Sequence, residues 1–179
     1  MKTKQIHLLK RPDKISVSDF AMREVELPDL QGDQVLVENL FMSIDPYMRR
    51  SMESDGKDLD PWPLDGPLDG PSIGRVVESR NAKYSPGDFV ESMSGWQQHF
   101  ISSCEDFVPY LSANDAIVKR DIKEGIDPSD YVGLLGIASQ TAYYAMICAT
   151  RLVADETTVI SSGAGSVGSL ACQIAKIQG

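Results

Sequence analysis

One stretch constrains this chain more than any other. The β-prone run Thr157-Thr158-Val159-Ile160-Ser161 leads into Ser162-Gly163-Ala164-Gly165-Ser166-Val167-Gly168, and Ser169 to Gln178 follows with helical spacing before Gly179. A strand, a Gly-x-Gly-x-x-Gly turn and a helix, in that order and with no proline inside, form the opening of a dinucleotide-binding fold. Gly163 is read as permitting the tight turn, Gly165 as letting backbone N–H groups approach a pyrophosphate, and Gly168 as letting the helix pack close to the strand. The unpaired N–H groups and aligned peptide dipoles at the helix N-terminus favour an anion there. Residues Ser162 to Gly168 are therefore the candidate cofactor cradle. Leu170, Ile174 and Ile177 fall on one face of the helix, and Gly179 is its expected C-cap.

The acid that grips the ribose in such folds lies about 20 residues beyond the glycines, and the sequence stops at Gly179. One strand and one helix make no parallel sheet. The chain is accordingly expected to be the N-terminal half of a larger protein and inert alone, its tail either paired with another copy or mobile.

Composition narrows the class. The formal net charge of −9 and a pI near 4.6 argue against nucleic acid, which needs a basic patch. Cys104, Cys148 and Cys172 are dispersed, with no C-x-x-C pair or disulfide framework, so a reducing, cytoplasmic setting is expected. Lys2 and Lys4 precede only a short apolar stretch, which reads as neither signal peptide nor membrane span.

Before the fingerprint the chain is rich in short β-patterned runs. Residues 2–10 and 17–27 read as a strand pair, 34–44 as the clearest strand, 73–79, 89–93 and 97–102 as further strands, and 47–52 as a turn of helix. Pro61 to Pro71, with its doubled Pro-Leu-Asp-Gly, reads as a surface connection. Many short strands joined by Gly/Pro turns imply a compact barrel or sandwich. From residue 127 the pattern turns helical: Asp127-Pro128 is a helix start, Tyr131, Leu134 and Leu135 form an apolar face, and a second helix runs from a Ser139 cap to about Arg151 with Ala142, Ala145, Met146 and Ala149 inward. The organisation read from the chain is a β-rich domain over 1–126, a helical link over 127–154, and the first strand and helix of a Rossmann domain over 155–179.

Several motifs carry a resemblance. Ser43-Ile44-Asp45-Pro46-Tyr47-Met48-Arg49, Ile73-Gly74-Arg75-Val76-Val77-Glu78-Ser79, Pro86-Gly87-Asp88-x-Val90, Gly95-Trp96-Gln97, Thr141-Ala142-Tyr143 and the glycine run resemble the medium-chain dehydrogenase/reductase superfamily, and within it the zinc-independent branch of prostaglandin reductases, leukotriene B4 dehydrogenases and alkenal reductases. The resemblance implies a GroES-like barrel followed by a Rossmann domain, with a substrate cleft between them. Two places depart from the pattern: Ala138-Ser139 stands where relatives carry Pro-Gly, and Ser162-Gly163-Ala164-Gly165 where they often carry Gly-Ala-Ala-Gly.

Zinc-dependent relatives carry a cysteine early in the barrel and a Gly-His-Glu further on, and here those places read Ser43-Ile44-Asp45 and Gly70-Pro71-Ser72. Catalytic zinc needs three protein ligands, and three cysteines exclude a four-cysteine structural lobe, so no metal site is expected. His7 and His99 are read as ordinary packed or surface histidines. The resemblance then implies hydride transfer from NADPH to the β-carbon of an α,β-unsaturated carbonyl, stabilisation of the enolate by donors at its oxygen, and protonation at the α-carbon by a tyrosine or water. Preference for NADP(H) over NADH comes from the family alone. Tyr47 is the candidate pocket wall or donor, and Thr141 the residue expected beside the nicotinamide or its phosphate. Trp96 is read as core, and Arg49-Arg50 as a solvated pair. The expected partners are a small enal, enone or quinone and a second copy of the chain as a homodimer. A quinone oxidoreductase of the same superfamily is the near alternative, and a non-catalytic GroES-like binding or assembly module is the alternative from another class.

Overall fold

The computed structural model describes residues 1–54, 60–105 and 115–179. The chain divides into two compact units, Met1–Gly125 and Ile126–Gly179.

In the first unit, β1 (Lys2–Leu8) and β2 (Phe20–Glu26) pair antiparallel from Lys2 opposite Glu26 to Leu8 opposite Phe20. Val17 does not begin the strand. Ser16 caps a 3-10 turn over Val17–Asp19, in which the Ser16 N–H donates to Asp19 Oδ2 at 2.7 Å; a side chain that bonds the backbone locally competes with the ladder. The other strands, β3 (Val35–Met42), β4 (Ser72–Ser79), β5 (Phe89–Ser92), β6 (His99–Ser102) and β7 (Ile117–Arg120), form an antiparallel sheet in the order β6-β3-β4-β5-β7. Alternation puts Val35, Val37, Val76, Val90, Phe100 and Ile117 on one buried face. Strand β7, absent from the sequence reading, closes one edge of this sheet. The hairpin joins the sheet through residues 96–98, with Ile6 N–H donating to Trp96 O at 2.9 Å and Gln98 N–H to Lys4 O at 2.8 Å.

Pro61 to Pro71 is no surface connection. Trp62 and Leu68 are 2% and 1% exposed and pack with Leu8, Met48 and Met52 into a second core cluster. Prolines carry no N–H to strand, so such a segment can be buried once its few donors are met. Three of them bond singly to other segments: Trp62 N–H to Ser51 O, Asp65 N–H to Leu8 O and Gly70 N–H to Met93 O, all within 2.7–2.8 Å. The cluster also receives α1 (Tyr47–Ser51) through Met48.

In the second unit, Asp127 caps a 3-10 turn over Pro128–Tyr131 rather than an α-helix. Helix α2 (Ile137–Tyr143) begins at Gly136, and Ser139 lies inside it, its Oγ donating back to Gly136 O at 3.0 Å. The expected second half of that helix is a π-helix, Tyr144–Ala149. Helix α3 (Ser166–Gln178) ends at Gly179, whose φ of +96° is the left-handed C-cap read from the sequence. The small core holds Ala142, Met146 and Ala171, with Ile160, Leu170 and Ile174 half-buried around it. Ile177 is 80% exposed, and Val159 93%. Residues 157–161 form no ladder: a strand needs a neighbour for its N–H and C=O groups, and the described residues supply none. Among the described residues no helix is long and apolar enough to cross a membrane.

Candidate functional site

The glycine run folds into a close turn onto α3. The left-handed residue of that turn is Ser162, at φ +52°, and not Gly163, which lies outside the left-handed region. Gly165 N–H donates to Ser162 O at 2.8 Å, and Ser169 N–H to Gly165 O at 2.9 Å. Gly168 is the glycine that sterics demand: a Cβ there would stand 2.2 Å from Ser162 O and 2.8 Å from its carbonyl carbon. At Gly165 the same carbonyl oxygen would lie at 3.3 Å, and at Gly163 the nearest atom, Cys172 Sγ, at 3.5 Å. Helix α3 starts at Ser166 with Gly165 as N-cap and no side-chain cap. Ala164, Gly165, Ser166 and Val167 are all exposed. The helix end thus offers first-turn N–H groups with only small side chains around them, an arrangement suited to a diphosphate. Thr141 is not at a helix start. It sits within α2, exposed, its hydroxyl donating to Ile137 O at 2.8 Å, and no hydrogen bond among the described residues ties it to the glycine turn.

In the first unit Tyr47 opens α1 directly after Pro46 and packs half-buried against the Leu8–Met48–Trp62 cluster. Met48 Cε fills the space above Gly70, 2.9 Å from where a Cβ would be. Trp96 is half-buried rather than core. It stacks on Phe20 with ring centroids 6.3 Å apart, meets Trp62 edge-on at 5.8 Å, and walls an apolar groove of about 370 Å³ with Ile6, Met22 and Met42. Arg49 and Arg50 are not simply solvated: both pair with Glu53, and Arg49 also reaches Asp13 O at 3.3 Å.

The sequence reading passed over Asp69, in the second Pro-Leu-Asp-Gly. Its Oδ1 accepts from Trp62 Nε1 at 2.6 Å. Burial pushes the carboxyl above the usual range, and the indole hydrogen bond opposes that only in part. The doubling was the available signal, because two copies of one tetrapeptide need not share a role: Leu64 is 49% exposed where Leu68 is buried. Asp65, the acid of the first copy, is held below the usual range by hydrogen bonds from Arg23 and then His7. His7 is buried and also meets Gln5 Oε1 at 2.9 Å, and His99 Nδ1 lies 3.3 Å from Thr3 Oγ1. Both histidines thus have structural partners, and no group of His, Cys, Asp and Glu among the described residues could hold a metal ion.

Residues 4–110 match the family described as the N-terminal domain of oxidoreductase. Prostaglandin reductase 1 of Bos taurus is 35% identical over 162 residues, 90% of this chain and 45% of that protein. An NADPH-dependent curcumin reductase of Escherichia coli is 32% identical over 173 residues, 96% of this chain and 47% of the relative. The crystal structure of CurA from Vibrio vulnificus in complex with NADPH superposes with a TM-score of 0.85 at 27% identity, covering 98% of this chain and 49% of that one. The chain spans about half the length of these relatives. The matched β-rich body, followed by a glycine turn and helix, places this chain in the family of oxidoreductase N-terminal domains, within the prostaglandin-reductase branch of the medium-chain dehydrogenase/reductase superfamily.

Proposed function

We propose that this chain is the N-terminal part of an NADPH-dependent oxidoreductase that reduces the C=C bond of α,β-unsaturated aldehydes and ketones. The observation that carries the cofactor part of the reading is the start of α3, where Gly165 is the N-cap, no side chain caps the first turn and Gly168 packs on the Ser162 carbonyl. Residues 1–126 serve as the substrate-side domain, 127–154 as the link, and 155–179 as the start of the cofactor domain. The names of the prostaglandin and curcumin reductases, and the NADPH bound to CurA, support the cofactor and the class of reaction.

When bound, the dihydronicotinamide supplies the hydride. The residues of this chain bind and orient: Ser162 to Gly168 hold the diphosphate against the helix dipole, with Thr141 on the neighbouring helix. Tyr47 serves as the wall of the substrate pocket or as the donor to the carbonyl oxygen, where negative charge develops. Three free cysteines suit a cytoplasmic protein, and the exposed apolar residues of the second unit suit a homodimer.

The test is nicotinamide absorbance in the full-length protein with matched substrates. A medium-chain enal should be turned over with NADPH, and the corresponding saturated aldehyde should not. Equal turnover of both, or activity with quinones alone, would refute the reading.

A further inference from the structure

The turn Arg11-Pro12-Asp13 after β1 grips α1. Arg11 Nη1 donates to the carbonyl oxygens of Met52 and Glu53, at 3.2 and 3.1 Å, and Nη2 to that of Trp62 at 2.9 Å. Met52 is the C-cap of α1 and Glu53 the next residue, so a cation stands where helix carbonyls lack intrahelical partners. The exchange is reciprocal, because Arg49 on α1 donates to Asp13 O at 3.3 Å. The third carbonyl belongs to the buried segment whose Trp62 N–H bonds Ser51 O at 2.7 Å. One guanidinium therefore ties the end of α1, the Trp62 segment and the hairpin together.

A helix of five residues is far below the length at which a helix holds itself, so its contacts set its position. Tyr47 is its first residue and Met52 its cap. So short a piece has little internal ladder to insulate one end from the other, and the Arg11 bonds at its C-terminal end act beside the packing of Met48 and Met52 on the Leu8–Trp62 cluster.

We infer that Arg11 is the positioning residue for Tyr47. The inference rests on the proposed role of Tyr47 against the substrate. A planar fork reaches three carbonyls from one side chain, and a lysine ammonium, a point charge, does not replace it.

The experiment uses Arg11→Ala, with Arg11→Met, which keeps the apolar stem, as the second variant should the first fail to fold. In the 179-residue chain, Tyr47 ring resonances should shift, and amide exchange over α1 should speed up by about tenfold, while β3 and β4 exchange as before. Ethylguanidinium should restore both signals. In the full-length protein the same variant should lower kcat/KM for the enal by at least about tenfold, chiefly through kcat, because misplacement by 1 Å costs up to about a hundredfold. The KM for NADPH should not move. Unshifted Tyr47 signals, or losses spread evenly over the sheet with no rescue, overturn the inference. Should the unaltered full-length protein reduce no enal, the proposed function fails, and the Tyr47 signals still decide the role of Arg11.

Discussion

Gly168→Ala isolates the steric demand of the glycine turn. The added methyl would lie 2.2 Å from Ser162 O, 2.8 Å from Ser162 C and 3.0 Å from Gly163 Cα. Every one of these is a backbone atom, so no side-chain rotation relieves the overlap. Alanine in place of glycine inside a helix gains about 1 kcal/mol. Overpacking costs about 1–3 kcal/mol and more where nothing yields, and displacing Ser162 O also endangers the Gly165 N–H bond to it, worth about 1 kcal/mol. The net is a destabilisation of about 2 kcal/mol for the second unit, or roughly 30-fold in its opening equilibrium. Native-state amide exchange over α3 reads this directly. Gly163→Ala is the control, since its nearest neighbours stand at 3.5 and 3.8 Å and its φ suits any residue, so exchange should stay unchanged or slow slightly. Equal exchange in wild type and Gly168→Ala, or equal damage from both alanines, would refute a steric requirement at Gly168 that Gly163 does not share.

The doubled tetrapeptide gives a paired test by chemical denaturation: Leu68→Ala should cost about 2–5 kcal/mol, and Leu64→Ala, half exposed, within about 0.5. Ser162→Gly should stabilise the second unit by about 0.5–1 kcal/mol, because a left-handed serine costs roughly 1–2 and glycine returns part of that as entropy; an unchanged melting curve would contradict it. Asp69 has a carboxyl raised in the fold, so its protonated form is favoured there, and its stabilising contribution, complete below the unfolded pKa, is lost as pH rises through the folded value. Asp69→Asn keeps an acceptor for Trp62 and should flatten that fall in stability as pH rises above the ordinary carboxylate value, and a wild-type pH profile in the variant would exclude Asp69 as its source.

Much of the fold was legible because its signals are local. Alternation in 35–42 and 72–79 marks strands wherever they end up, and Gly179 after a helical run marks a C-cap. Some misreadings are local, where a hydroxyl has two nearby ways to bond the backbone, and others came where the deciding partner is distant in sequence. Ser139 and Thr141 look like helix-start residues, but Gly136 begins the helix and both hydroxyls bond back within it. Arg49 reads as solvated because Asp13, one of its two partners, lies far off in sequence, in the turn after β1. Trp62 and Leu68 looked exposed because proline and glycine usually mark surface turns, whereas Leu8 and α1 cover this segment.

The sequence by itself determined most strands of the first unit, the position of the glycine turn before α3 and the family, since glycine spacing, β-alternation and motif residues are properties of neighbours along the chain. Only the tertiary structure decided which glycine of the turn before α3 is most tightly packed, which Pro-Leu-Asp-Gly copy is buried, and that Arg11 bonds the end of the helix that begins at Tyr47. Those outcomes depend on atoms brought within about 4 Å by folding, and dispersion, hydrogen bonds and steric overlap act only at that range.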